Sequence, residues 1–137
     1  MFAGVPDNVT KIAHMCCGYP NALDSENYLK ASPSAYFSIA EALDESTLDS
    51  ISIEDAHRPN DLKLLELFKK TSVIMGLIDV AKSKLEEVDQ ISERIQECSN
   101  HIDPHRLIAA PDCGLGLLNR QLAIDKMKNL CTAAHSI

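Results

Sequence analysis

The sequence lacks a basic cluster, a long apolar run and an even set of cysteines. Thirteen Lys and Arg stand against 20 Asp and Glu, a net charge of −7. That balance argues against nucleic acid or an anionic membrane as a partner. The apolar runs are far shorter than the ~20 residues that span a bilayer. The N-terminus shows no basic segment leading into an apolar stretch, so no secretory signal is expected. Five cysteines in a chain without such a signal argue against a disulfide framework. Gly114-Leu115-Gly116 is too short for a dinucleotide-binding turn. These absences predict a reduced, cytoplasmic, acidic globular chain. Its 137 residues, 45% of them hydrophobic, suffice for one domain with a core.

What is present alternates. Val9–Met15, Leu48–Ile53, Ser72–Ile78 and Leu107–Ala110 read as buried strands. Helical spacing follows each. Ser32-Pro33 opens a helix running to about Ser46, with Tyr36, Phe37, Ile39, Ala40 and Leu43 on its apolar face. Asn60 is a candidate cap for a helix carrying Leu62, Leu64, Leu65, Leu67 and Phe68. A third helix spans about Leu85 to Asn100, and a last one about Leu118 to Ala134, with Leu122, Met127, Leu130 and Ala134 inward. Alternation of this kind predicts an α/β fold of four β-α units, parallel strands covered by helices. Such a set is a small open sheet or half of an eight-stranded (β/α)8 (TIM) barrel, which typically takes about 250 residues.

The chemistry-bearing residues gather at the strand ends. Side chains at i and i+2 of a strand point the same way, so His14 and Cys16 project together. Alone, a His-x-Cys pair carries little. Glu54 closes the second strand, however, Asp79 the third, and Cys113 follows the fourth. In a barrel, active-site groups sit at the C-terminal strand ends. Zinc takes four Cys, His or carboxylate ligands, and His14, Cys16, Glu54 and Cys113 supply four. Two thiolates favour zinc over magnesium or calcium. The wide ligand separation excludes a zinc-finger loop.

At these residues the chain resembles the cobalamin-independent methionine synthase family, specifically the C-terminal half of its catalytic barrel. The matching motifs are His14-Met-Cys16, Ile53-Glu54 and Pro111-Asp112-Cys113-Gly114-Leu115, with Leu64-Leu-Glu-Leu-Phe68 and Glu93-Arg94-Ile95 between them. The resemblance implies one partial domain over residues 1–137 and a catalytic zinc on His14, Cys16, Glu54 and Cys113. It also implies an S-methyltransferase of methionine biosynthesis, in which a zinc-bound homocysteine-like thiolate attacks a reduced-folate methyl group. Glu54, as the displaceable ligand, and Asp79 are then the catalytic candidates. One departure stands out: folate-using members carry a histidine after the third strand where this chain has Ala81. Epoxide-using coenzyme M transferases of the same superfamily keep the zinc motif, and an inactive half-barrel is a further alternative. The absent first half of the barrel predicts self-association or pairing with a separate N-terminal half.

Other polar residues have plainer readings. Alternation turns Cys17 away from Cys16 and into the core, and Cys98 and Cys131 lie on helices where burial is the default. His57 either orients the carboxylate or sits in a solvated loop. Asp112 either braces a ligand or shapes the turn before Cys113. His101, His105 and His135 fall at helix ends or connections, where an imidazolium complements the helix dipole.

Overall fold

The β-branched runs form short parallel strands in a computed structural model that describes residues 2–137. They are β1 (Ile12–Met15), β2 (Ser50–Ile53), β3 (Ser72–Gly76) and β4 (Leu107–Ala110), in the sheet order β1-β2-β3-β4. Every neighbouring pair is parallel. Helix α1 (Ser34–Asp44) links β1 to β2, α2 (Val88–Ser99) links β3 to β4, and α3 (Arg120–His135) follows β4. Right-handed crossovers between strands taken in sequential order place all helices on one side of the sheet. That is how a barrel wall is built, in contrast to a doubly wound sheet.

The register assigns the faces. Ala13, Ile51, Val73 and Leu107 align across the sheet, as do Met15, Ile53, Met75 and Ala109. These side chains meet Tyr36, Ala40, Leu64, Leu65, Phe68, Ile91 and Ile95 in the helix-side core. Ile51 and Val73 are 0% exposed. The other face carries Ile12, His14, Ser52, Ile74 and Ile108, and no layer covers it. Ile12 and Ile108 remain 49% and 45% exposed.

The elements are shorter than the sequence pattern predicts. β1 begins at Ile12, not Val9, and β3 ends at Gly76, not Ile78. The helix expected after Asn60 is a 3-10 segment, Leu62–Leu67. Its cap is Asp61, whose side chain accepts from Lys63 N–H. Asn60 instead donates from its side chain to Glu54 O at 2.7 Å. The loop from Glu54 to Asn60 takes seven of the 18 residues of this crossover, and the 3-10 segment after it buries Leu64 and Leu65 beneath the sheet. Asp44, at the end of α1, accepts from the N–H groups of Lys69, Lys70 and Thr71 and so anchors the chain entering β3.

Of the four residues expected inward on α3, Leu130 is buried and Met127 packs against the core, whereas Leu122 is half-buried and Ala134 exposed, and Lys126 and Ala133 are buried instead. The cause is Lys126, 0% exposed. Its Nζ donates to both Glu86 oxygens at 2.9 Å and to the Asp79 and Lys84 carbonyls at 3.0 and 2.6 Å. The charge is buried because it is paired and fully bonded, and it holds the loop after β3 in place.

Gly76 has a steric role. A Cβ there would stand 2.2 Å from Asp112 Oδ1 and 2.7 Å from Asp112 Cα. Gly76→Ala is therefore expected to destabilise the fold by about 3 kcal/mol, an overpacking cost at the high end. Urea unfolding measures it, and an unchanged midpoint would show that β4 shifts freely to make room.

Candidate metal centre

The four strand-end donors converge. One ligand atom from each of His14, Cys16, Glu54 and Cys113 lies within 4.8 Å of all the others. His14 sits on β1 opposite Ser52 of β2, and its Nδ1 is 2.9 Å from Ser52 Oγ. With Nδ1–H donating there, Nε2 keeps its lone pair toward the site; it stands 3.8 Å from Glu54 Oε1. Cys16 follows on the same side, while Cys17 turns into the helix-side core at 5% exposure.

Glu54 is almost wholly buried, 1% exposed. Its Oε2 accepts from Cys17 N–H at 2.6 Å, and Oε1 has no hydrogen-bond partner. A buried carboxylate oxygen without a partner is costly. The thiol beside it is also out of balance. Burial pushes Cys16 up to about 11, and the negative charges of Glu54 and Cys113 add to that against the Gly18 N–H. Two thiols, a free imidazole nitrogen and an orphaned carboxylate oxygen, crowded together, match the donor set that binds zinc. The residues fit the metal.

Behind these donors lies a second ring, centred on Asp112. Its Oδ1 accepts from the N–H groups of Asp55 and Ala56, and Oδ2 from that of His57, each at 2.9 Å. Tyr19 Oη donates to Oδ2 at 2.9 Å, and His57 Nδ1 lies 2.8 Å from it. Asp112 is 0% exposed. Burial alone would raise its pKa, but the His57 and backbone hydrogen bonds outweigh burial and hold it below the usual carboxylate range. Tyr19, desolvated and beside that negative charge, is pushed well above the ordinary phenol. His57 Nε2 points at Glu54 Oε2 from 3.8 Å and has no hydrogen-bond partner. Asp55, next to Glu54, is held by Arg94 Nε at 2.8 Å, so α2 also braces the loop.

Of the sequence candidates, His14, Cys16, Glu54 and Cys113 come together, and Asp112 and His57 lie directly behind them. Asp79 is not among the converging donors; its Oδ1 accepts from Ala81 N–H at 2.8 Å and closes a turn. Ala81 is buried, and its carbonyl accepts from Asp24 N–H. Cys98 is buried and Cys131 exposed, so the burial expected of Cys131 does not hold: it faces an open flank of α3. His101 pairs with Glu66, and His135 Nδ1 meets the Cys131 carbonyl at 2.7 Å, both away from the centre. Tyr19 was not legible, because a loop tyrosine beside Pro20 has no periodic or metal-ligand signature.

Known proteins are similar to much of this chain. The family described as "Cobalamin-independent synthase, Catalytic domain" matches residues 26–136. That span includes Glu54 and Cys113 but not His14 or Cys16. The methionine synthase of Pyrococcus abyssi is 30% identical over 105 residues, 76% of this chain and 31% of that protein. The methionine synthase of Sulfolobus acidocaldarius is 28% identical over 125 residues, 90% of this chain and 32% of that one. A solved B12-independent methionine synthase from Shewanella sp. W3-18-1, in complex with selenomethionine, superposes with a TM-score of 0.79 at 23% identity. That likeness covers 98% of this chain and 40% of the other, and shows the fold to be half of a (β/α)8 barrel. The chain spans about a third of the length of these curated relatives.

Asp112→Asn tests the second ring. The amide retains one acceptor oxygen where the carboxylate serves several donors, and the expected loss is about 3 kcal/mol. Because the native pKa of Asp112 is depressed, its contribution is complete above the ordinary carboxylate pKa of about 4 and is lost as pH falls through the native value. Urea titrations from neutral pH down to the acid limit should show a shallower acid loss in the variant. Equal slopes in the two proteins would remove Asp112 from this role.

Proposed function

The chain belongs to the cobalamin-independent synthase catalytic-domain family, and on that premise we propose that it is the zinc-holding half of a thiol S-methyltransferase barrel. The observation that carries the reading is the convergence of His14, Cys16, Glu54 and Cys113 within 4.8 Å. These residues would hold the metal. A bound zinc ion supplies Lewis acidity that keeps an acceptor thiol in its nucleophilic thiolate form at neutral pH. Homocysteine, or a thiol like it, is the acceptor, and a methylated reduced folate is the donor, as the methionine synthases among its relatives imply.

The chain's own residues prepare that chemistry. Cys17 N–H fixes Oε2 of Glu54 and leaves Oε1 free to face the metal. The backbone N–H of Glu54 donates to Tyr36 Oη, which in turn donates to the Met15 carbonyl. That phenol therefore ties the β1 and β2 ends at a fixed spacing. Asp112 holds the loop from Asp55 to His57 and keeps His57 aimed at Glu54. Glu54, a carboxylate among thiols, would be the most readily exchanged of the residues holding the metal, leaving a position for an acceptor thiol. Where folate-using members carry a histidine, Ala81 offers no proton to a departing folate amine, so transfer from folate is slow in this chain.

Residues 1–137 act as one partial domain, completed by a further half-barrel that supplies the remaining substrate contacts. The cysteines are all free, which suits a reducing cytoplasm, and no described helix is long and apolar enough to cross a membrane.

Zinc analysis of the purified protein tests the reading. About one zinc per chain is expected, with affinity weakened more than about tenfold in Cys113→Ser. Well-folded protein that takes up no zinc would defeat it. Methyl transfer to homocysteine, with the complementary half-barrel added, then tests the reaction itself.

A further inference from the structure

Among the described residues two buried side-chain polar atoms lack a hydrogen-bond partner, Glu54 Oε1 and His57 Nε2. The first belongs to the metal centre, beside His14 Nε2. The second does not. His57 is not one of the converging donors, yet its side chain is only 1% exposed. A nitrogen buried without a partner is costly, and a histidine that only braced its loop would need Nδ1 alone.

The imidazole is not free to turn and satisfy Nε2 elsewhere. Nδ1 lies 2.8 Å from the carboxylate oxygen Oδ2 of Asp112, an acceptor, so Nδ1 carries the hydrogen and donates it. Tyr19 gives its own hydrogen to the same oxygen, and its ring lies against the imidazole with centroids 4.8 Å apart. The backbone is tied on both sides of the ring: His57 N–H donates to Asp112, and the His57 carbonyl accepts from Lys30 Nζ. Arg58, the next residue, donates to Cys17 Sγ. That bond couples the loop to Cys17, whose N–H holds Glu54 Oε2 at 2.6 Å. One assembly therefore presents two groups to this oxygen, an N–H already bonded and Nε2 standing 3.8 Å away. A carboxylate oxygen has two lone-pair sites, so Oε2 can serve both. A shift of about 1 Å brings Nε2 to hydrogen-bond length.

We propose that His57 is the positioning residue for ligand exchange at Glu54: its Nε2 receives the carboxylate when an acceptor thiol takes the place of Oε1 on the metal. This role rests on the zinc-holding reading of the site and gives the displaced carboxylate a destination. In the exchange the thiol S–H bond breaks and sulfur keeps the electron pair. A sulfur–metal bond forms as the Glu54 oxygen–metal bond breaks, and the proton passes to the Oε2–Nε2 pair. Nothing is oxidised or reduced. The new hydrogen bond forms whichever of the two atoms holds that proton. Oε2 keeps its bond to Cys17 N–H throughout, and only Oε1 swings away. Without Nε2 the released carboxylate would be buried and short of a partner, which disfavours exchange while leaving metal retention intact.

Cobalt in place of zinc reports both events, because thiolate ligation adds a charge-transfer absorption band. Cobalt and homocysteine affinities are measured on the same samples of the native chain and His57→Ala, so that the two readings fail separately. The native chain should take up about one cobalt and then bind homocysteine. His57→Ala should lose more than about tenfold in homocysteine affinity and less than about threefold in cobalt affinity. Nitrogen NMR of the imidazoles in the native zinc-loaded chain gives a reading that needs no variant: homocysteine should move the His57 Nε2 resonance and leave Nδ1 in place. Equal homocysteine affinity in the two proteins, or equal losses of cobalt and homocysteine, would overturn the role. So would an Nε2 resonance that bound homocysteine does not move, or a metal-loaded chain that binds no homocysteine. A chain that takes up no metal would remove the zinc-holding reading, and this role with it.

Discussion

One buried carboxylate organises the mouth of this half-barrel. Asp112 lies at the end of β4, yet its hydrogen bonds reach the loop after β2 and the tyrosine after β1. Strand ends are where a parallel sheet stops restraining its chain, so donors there need a separate tie. A single charged acceptor with several N–H and O–H partners provides it, because hydrogen bonds to an ionised group are stronger than neutral ones. Space for it comes from Gly76, the residue of β3 whose missing side chain lets Asp112 lie against the sheet. Glu54 and Cys113 are the immediate chain neighbours of this network, so its geometry sets theirs.

The donors themselves are held in an electrostatically poor arrangement. Glu54 is buried with one oxygen unpartnered, and Cys16 is pushed toward its neutral form by burial and by neighbouring negative charge. A cation removes both costs together, which couples metal uptake to thiol deprotonation and to stability. A fold built to stand without a metal would place a hydrogen-bond donor at Glu54 Oε1. His14 Nε2 instead stands 3.8 Å from Glu54 Oε1, beyond hydrogen-bond length.

Much of this was legible in the sequence. The alternation of branched runs with helical spacing gave the parallel α/β order, and period two along β1 placed His14 and Cys16 together and sent Cys17 inward. What escaped depends on contacts that are distant along the chain. The segment Leu62–Leu67 has helical leucine spacing but winds as a 3-10 helix, ahead of the Lys69–Thr71 stretch that Asp44 holds. Lys126 breaks the apolar pattern of α3 because Glu86 and two carbonyls wait beneath it, and no local rule expresses that. Tyr19 belongs to the Asp112 ring only through a loop conformation. Asp79 ends its strand as expected but stands apart from the converging donors, where its Oδ1 accepts from Ala81 N–H.

The division of labour within the barrel follows from where the chain's residues sit. Every converging donor, and the network behind it, lies on these four strands or in the loops that follow them, so the candidate metal centre is drawn from this chain alone. The floor and far wall are not: the concave face is open and both sheet edges are bare. The spacing of the converging donors is thus set by Asp112, Gly76 and the β1–β2 register.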